Sequence, residues 1–218
     1  PAGKNGHYTV PDSVNLIGGY AFVDSRSLTS VTIPDSVTSI EYGAFSGCKI
    51  LTSVNIPDSV ESIGDQAFFG CNDLKNLTIG NSVTSIGSRV FISCTSLTSV
   101  TIPDSVASIG SRAFQECTSL MSVTIPNSVT SIGGQAFQNT KLTSVTIPNP
   151  NCVIADDAFD PSVKVIQAKD PLTYKIEGNS VTITGCDESY KGELAIPSSY
   201  LGKPVTKIGR SAFEGCAS

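Results

Sequence analysis

The 218-residue sequence has no tryptophan, one methionine (Met121) and one histidine (His7). Charge is also sparse: Asp, Glu, Lys and Arg make up 15% of the chain, against about a quarter in ordinary domains. Acids outnumber bases by 19 to 14, leaving a net charge of −5. A nucleic-acid backbone or an anionic membrane attracts clustered Lys and Arg, so no nucleic acid is expected as a partner. A run of about twenty apolar residues is missing, so no direct membrane insertion is expected, and no secretory signal segment is readable. Catalytic signatures are absent as well. His7 has no readable Ser or Cys partner for a triad, and there is neither a Gly-rich phosphate loop nor an H-E-x-x-H pair. Asp156–Asp157 reads as a solvated loop. These absences predict a non-enzymatic chain with no cofactor and no metal.

What the sequence has in abundance is repetition. Phe22, Phe45, Phe68, Phe91, Phe114 and Phe137 recur every 23 residues, Phe159 follows after 22, and Phe213 returns later. Proline keeps the same period at Pro11, Pro34, Pro57, Pro103, Pro126 and Pro148, with Gly80 filling the gap. One unit, Leu28 to Ile50, reads LTSVTIPDSVTSIEYGAFSGCKI; later units begin at Leu51, Leu74, Leu97, Leu120 and Leu142, the last one residue early. The chain starts at Pro1 rather than Met and stops at Ser218 inside a repeat, so it reads as an excerpt of a longer protein.

The apolar positions within the unit predict its shape. Val31 and Ile33 alternate with Ser30 and Thr32, the period of a strand with one buried face. Pro34 removes a backbone donor and fixes φ, which ends that strand in a turn. Val37 to Ile40 is a second short extended piece. Glycine after it (Gly64, Gly87, Gly110, Gly133, with Glu41 the exception) is expected to permit a sharp corner. Ala44–Phe45 is expected to form a helical or 3₁₀ turn that tucks its ring inward. A single unit leaves its apolar side exposed; stacking units at roughly 4.8 Å per rung buries a continuous core.

This unit resembles the BspA-like, or treponemal-type, leucine-rich repeat, L-x-x-V-x-I-P-x-x-V-x-x-I-x-x-x-A-F-x-x-C, over residues 8 to 162 and again over 193 to 218. The resemblance implies a repeat solenoid of short parallel strands and turns. It also implies a secreted or surface-attached protein acting as an adhesin toward host matrix or another cell's surface. It transfers no binding residues.

The period fails from Ser162 to Gly192. Tyr174–Glu177 and Val181–Thr184 alternate around Gly178–Asn179 as a β-hairpin. The repeat then restarts at Leu194–Ala195–Ile196–Pro197. The expected organisation is a solenoid over 1–162, a hairpin spacer over 163–192 that bends or separates arrays, and a truncated repeat over 193–218.

Three ladders remain to be read. Cys48, Cys71, Cys94 and Cys117, with Cys216 in the same slot, read as small buried reduced residues, because stacked side chains point the same way and no C-x-x-C or nearby His completes a metal site. Cys152 and Cys186 fall outside this ladder and pair only if the hairpin folds back. Asp12, Asp35, Asp58 and Asp104 alternate with Asn81, Asn127 and Asn149, which fits capping of turn amides better than calcium. The third ladder is the outward partner of the buried strand residues: Ser30, Thr32, Ser53, Asn55, Asn76, Thr78, Ser99, Thr101, Ser122, Thr124, Ser144 and Thr146. This regular hydroxyl face is the candidate concave binding face for a protein partner. Plain solubility with good strand propensity and ordered-water (ice) binding are the competing uses. It lacks the Tyr, Trp and Arg anchors of tight interfaces, so binding would depend on repetition. The rival site is the edge flanking each Phe: Tyr42, Phe69, Arg89, Arg112, Gln115, Glu116 and Gln135. A passive spacer displaying other domains is the alternative function. Asn76–Leu77–Thr78 matches a glycosylation sequon, but on a strand rather than a loop.

Overall fold

Each 23-residue unit folds into one rung of a parallel β-solenoid, because its two apolar strands and its Phe turn find partners only in the rungs above and below. A computed structural model describes residues 6–189, 194 and 196–216. In chain order the rungs contribute β1 (His7–Thr9) and β2 (Leu16–Ile17), β3 (Ser30–Thr32) and β4 (Ser39–Ile40), β5 (Ser53–Asn55) and β6 (Ser62–Ile63), β7 (Asn76–Thr78) and β8 (Ser85–Ile86). The series continues with β9 (Ser99–Thr101) and β10 (Ser108–Ile109), β11 (Ser122–Thr124) and β12 (Ser131–Ile132), β13 (Ser144–Ile147) and β14 (Val153–Ile154), and β15 (Lys164–Gln167). The longer strands pair in the orders β1-β3-β5-β7, β9-β11 and β13-β15; the shorter ones pair as β2-β4-β6 and β8-β10-β12-β14. Register is one repeat per rung, with Val31 opposite Tyr8 and Val54.

The Phe segment differs in detail from the expected helical or 3₁₀ turn: among the described residues there is no helix. Its amides alternate in direction. Ala44, Ser46 and Cys48 donate within the rung to Glu41, Gly43 and Phe45, whereas Gly43, Phe45 and Gly47 donate to Asp65, Ala67 and Phe69 of the next rung. Gly43 and Gly47 sit at φ 61° and 73°, and the same slots elsewhere hold Gln66, Arg89, Arg112 and Gln135, or Ser93, Glu116 and Asn139, also at positive φ. Left-handed residues thus punctuate the turn, so it never becomes helical. The corner glycines serve another purpose than the one expected. Gly64, Gly110 and Gly133 have no positive φ. A Cβ on Gly110 would lie 2.7 Å from the backbone carbon of Gly87, and one on Gly133 would lie 2.6 Å from the Ser111 nitrogen. They are there because neighbouring rungs approach too closely for a side chain.

The core is a set of vertical ladders. Phe22, Phe45, Phe68, Phe91, Phe114, Phe137 and Phe159 stack with centroids 4.9–5.5 Å apart and planes within 15° of parallel, and Tyr8 closes the first ring edge-on at 5.2 Å. Such ring pairs add about 0.5–1.5 kcal/mol each to the burial itself. Phe213 lies elsewhere, half-buried in a second small core. The Val37, Val60, Val83, Val106 and Val129 ladder is continued by Cys152, which is buried in the same slot. There the turn after Pro148 is one residue longer and the segment before Ile154 one shorter, so Cys152 N–H bonds to Asn149 as Val129 N–H does to Pro126. Serine in four of the Pro turns adds a ladder of hydrogen bonds: the hydroxyls of Ser36, Ser59, Ser105 and Ser128 donate to Val14, Val37, Val83 and Val106 one rung back, at 2.6–2.8 Å.

This first compact unit runs through Gln167, beyond the period break at Ser162, because β15 pairs with β13. The second unit covers residues 168–218. Its strands are β16 (Leu172–Glu177), β17 (Ser180–Cys186), β18 (Ser199–Tyr200) and β19 (Lys203–Ile208), in the order β16-β17-β19-β18. β16 and β17 form the expected antiparallel hairpin, turning at Gly178 with φ 59°. β19 adds to it in parallel, so hairpin and restarted segment share one sheet. The 192/193 boundary and Ala195 lie outside the described residues. Cys216, expected as a reduced ladder thiol, is instead disulfide-bonded to Cys186 with Cα atoms 6.3 Å apart.

Candidate functional site

The outward residues of the longer strands form the face that their alternation predicts. Ser30 stands opposite His7 and Ser53, and Ser53 opposite Asn76; Asn55 stands opposite Thr78. Ser99 and Thr101 face Ser122 and Thr124, and Ser144 and Thr146 face Lys164 and Ile166. Thr32, Asn55, Asn76, Thr78, Ser99, Thr101, Ser122, Thr124, Ser144 and Thr146 are exposed, while Ser30 and Ser53 are half-buried. Among them lie Val31, Val54, Val100 and Val145, buried in the core. The face has a beginning and an end that spacing alone did not show. At its start, β1 adds His7 and Thr9, with His7 Nδ1 2.8 Å from Ser30 Oγ and Nε2 3.2 Å from Thr9 Oγ1. At its end, Lys164 supplies a positive charge. Between these two the strand positions are uncharged.

Two interruptions break the regularity: strands β7 and β9 belong to separate sheets, and so do β11 and β13, at a seam. The seam falls where the turn after Phe137 is one residue short, and Lys141 N–H bonds to Leu120 where Met121 N–H, one rung earlier, bonds to Thr98. A depression of 390 Å³ opens there, lined by Met121, Ser122, Thr124, Thr143, Ser144 and Thr146 among others. Met121 is 61% exposed at its rim. Thr29, Thr52 and Thr98 hold the equivalent position in other rungs, so an apolar side chain marks this one.

The rival edge divides. Arg89, Arg112 and Gln135 share a groove with Asp65 and Asp157, whereas Gln115 bonds instead to Gln138 at 2.9 Å, and Tyr42 and Phe69 are exposed but do not line that groove. The cysteine ladder is inert packing. The thiols of Cys48, Cys71, Cys94 and Cys117 donate to the Phe carbonyls of the rung behind, at 3.1–3.5 Å. Burial pushes Cys48 up to about 11 and Cys117 up to about 12, and raises Cys71 and Cys94 further. Asn149 Oδ1 accepts the Asn151 N–H at 2.9 Å, the local cap expected of the Asp/Asn ladder, whereas Asp58 Oδ1 accepts the Asn81 N–H of the next rung at 2.7 Å. No group of three or more His, Cys, Asp or Glu able to hold a metal occurs among the described residues, and no described helix is long and apolar enough to cross a membrane.

Parallel rungs of L-x-x-V-x-I-P strands backed by a stacked Phe core define a leucine-rich-repeat solenoid, a class that typically serves as a non-catalytic scaffold for protein interaction. The chain belongs to the BspA-type leucine-rich-repeat family, whose model matches residues 4–52 and 44–166 in 6 copies. Among solved structures it is similar to a leucine-rich cell surface protein from Faecalibacterium prausnitzii. That match has 32% identity and a TM-score of 0.71, covering 99% of this chain and 62% of that one. It is also similar to a leucine-rich repeat protein from Eubacterium ventriosum (28%, TM-score 0.69, 77% of this chain and 45% of that one). A leucine-rich repeat protein from Treponema pallidum matches at 30%, with TM-score 0.54, over 63% of this chain and 73% of that one. The chain thus spans less than two thirds of the first two relatives. No functionally curated protein matches.

Proposed function

We propose that the chain is a protein-binding, adhesive module of a cell-surface or secreted protein, and that the partner rests on the Ser/Thr face of β3 to β13. The observation that carries this reading is the register: small hydroxyl and amide side chains repeat from rung to rung, mostly exposed and uncharged, along parallel strands. A partner that lies along such a face gains little per rung and much from the number of rungs. The seam at Met121 supplies an apolar purchase beside Thr124 and Thr146, and exposed Ile166, opposite Thr146, supplies another at the end of the face. The likeness to a bacterial cell surface protein supports the location, and host matrix or another cell's surface supplies the class of partner.

Surface plasmon resonance against fibronectin, fibrinogen and mucin tests the reading. The folded chain is expected to give a saturable signal with one of them. The pair Thr124→Arg and Thr146→Arg, which crowds the seam with charge and leaves the core alone, is expected to abolish it. A folded chain with no saturable signal removes adhesion to those ligands and favours the passive spacer.

A further inference from the structure

A second site, independent of the Ser/Thr face, lies along the edge before each Phe. We infer that the groove around Arg89 and Arg112 binds a compact oxyanion, a carboxylate or sulfate, carried on a saccharide. The two arginines occupy the same slot on adjacent rungs, at φ 59° each, with the Arg89 N–H bonded to the Ser111 carbonyl at 3.0 Å. Their backbones are therefore one rung, roughly 4.8 Å, apart. Both side chains line a groove of 470 Å³ with Asp65, Ser88, Ser111, Gly134, Gln135 and Asp157. Arg112 is oriented by its Nε donating to Gln135 Oε1 at 2.7 Å. Neither guanidinium is in an ion pair; among the described residues the one ion pair is Lys175–Glu177. Two like charges on neighbouring rungs repel, and an anion between them turns that repulsion into paired charge-assisted hydrogen bonds.

The backbone of this edge already binds carboxylates. Asp65 Oδ1 accepts the Ser88 N–H at 2.8 Å, and Glu41 Oε2 accepts the Gly19 N–H at 2.9 Å. Ser88, Ser111 and Gly19 hold the same slot of their rungs. The Ser111 N–H, next to both arginines, has no acceptor in the described chain, so it offers an external anion the place that Asp65 fills at Ser88. The ends of the groove set the size and kind of ligand. Asp65 and Asp157 flank the arginines and repel an extended polyanion, while their carboxylates and the Gln135 amide accept hydroxyl donors. A single acidic group surrounded by hydroxyls meets both demands. Further along the same row, Tyr20 and Tyr42 pack edge-on at 5.3 Å and are 54% and 41% exposed, giving the apolar face of a neighbouring sugar a place to rest.

The test is titration of the chain at low salt with N-acetylglucosamine 6-sulfate, glucuronate, neutral N-acetylglucosamine and inorganic sulfate, following the backbone amide signals of Ser111 and Arg112. Gln66 and Gln135 hold the arginine slot at φ 60° and 59°, so Arg89→Gln with Arg112→Gln is compatible with the fold. An acidic sugar is expected to shift the Ser111 amide saturably, with the neutral sugar and the double variant weaker by about tenfold or more. The tighter of the two acids names the group. Inorganic sulfate binding as tightly as the sulfated sugar overturns the saccharide assignment. No saturable shift at millimolar acidic sugar, or shifts unchanged by the double variant, overturns the site.

Discussion

Cysteine does opposite work in the two compact units. In the solenoid, Cys48, Cys71, Cys94 and Cys117 stack one per rung, fully buried and reduced, each donating to a Phe carbonyl. In the second unit, Cys186 and Cys216 are bonded to each other across 30 residues. The cores explain the contrast. The solenoid core runs without a break from Val10 to Val163, whereas the second unit buries Leu172, Val181, Ile183 and Ala212 with a few partly covered neighbours. A long ladder stabilises itself by nearest-neighbour stacking. A small sheet with a thin core gains from a covalent link. The same residue type thus reports how much apolar surface each unit manages to bury.

The largest expected effect breaks the ladder. Phe91→Ala removes a fully buried ring between two stacked neighbours, and denaturant unfolding is expected to show a loss of about 3–5 kcal/mol. Phe213→Ala, at a half-buried ring of the second unit, should cost clearly less. Next, Cys216→Ser is expected to lower the stability of the second unit by roughly 2–4 kcal/mol and leave the solenoid transition where it was. Alkali should act the other way round. The ladder thiols have folded pKa values above the ordinary value near 9, so they favour the folded state fully below that value. That contribution is lost as pH rises past 9 and through about 11, the value for Cys48 and Cys152. Thermal scans from pH 8 to 11 should therefore show the solenoid weakening, and a serine substitution at Cys48 should flatten the decline. The smallest effect is Ser105→Ala, which removes a 2.6 Å bond to the Val83 carbonyl and is expected to cost about 0.5–1.5 kcal/mol by the same unfolding assay.

The ladders were legible because a 23-residue period places equivalent residues in equivalent slots, and Val31, Phe45 and Cys48 needed no further information. So was the outward face, since alternation with Val31 leaves Ser30 and Thr32 nowhere else to point. Four features escaped for identifiable reasons. Cys152 keeps the 23-residue spacing from Val129, yet two compensating length changes around Pro150 hid its place in the valine ladder. The Cys186–Cys216 link joins a residue outside the period to one inside it, and spacing does not determine connectivity. The corner glycines were correctly singled out for the wrong reason: contact between rungs is a tertiary property, and a single unit gives no hint of it. The Arg89–Arg112 pair was visible as a spacing, but the groove it lines depends on the left-handed turn backbone.

Hydrogen exchange read segment by segment, with and without reductant, tests most directly the claim that a self-supporting ladder carries the solenoid while the second unit relies on its disulfide. The expected result is strong, uniform protection of the strand amides from β3 to β13 that reductant does not change, with protection of β16, β17 and β19 falling sharply on reduction. Loss of solenoid protection on reduction, or unchanged protection in β16 to β19, would contradict it.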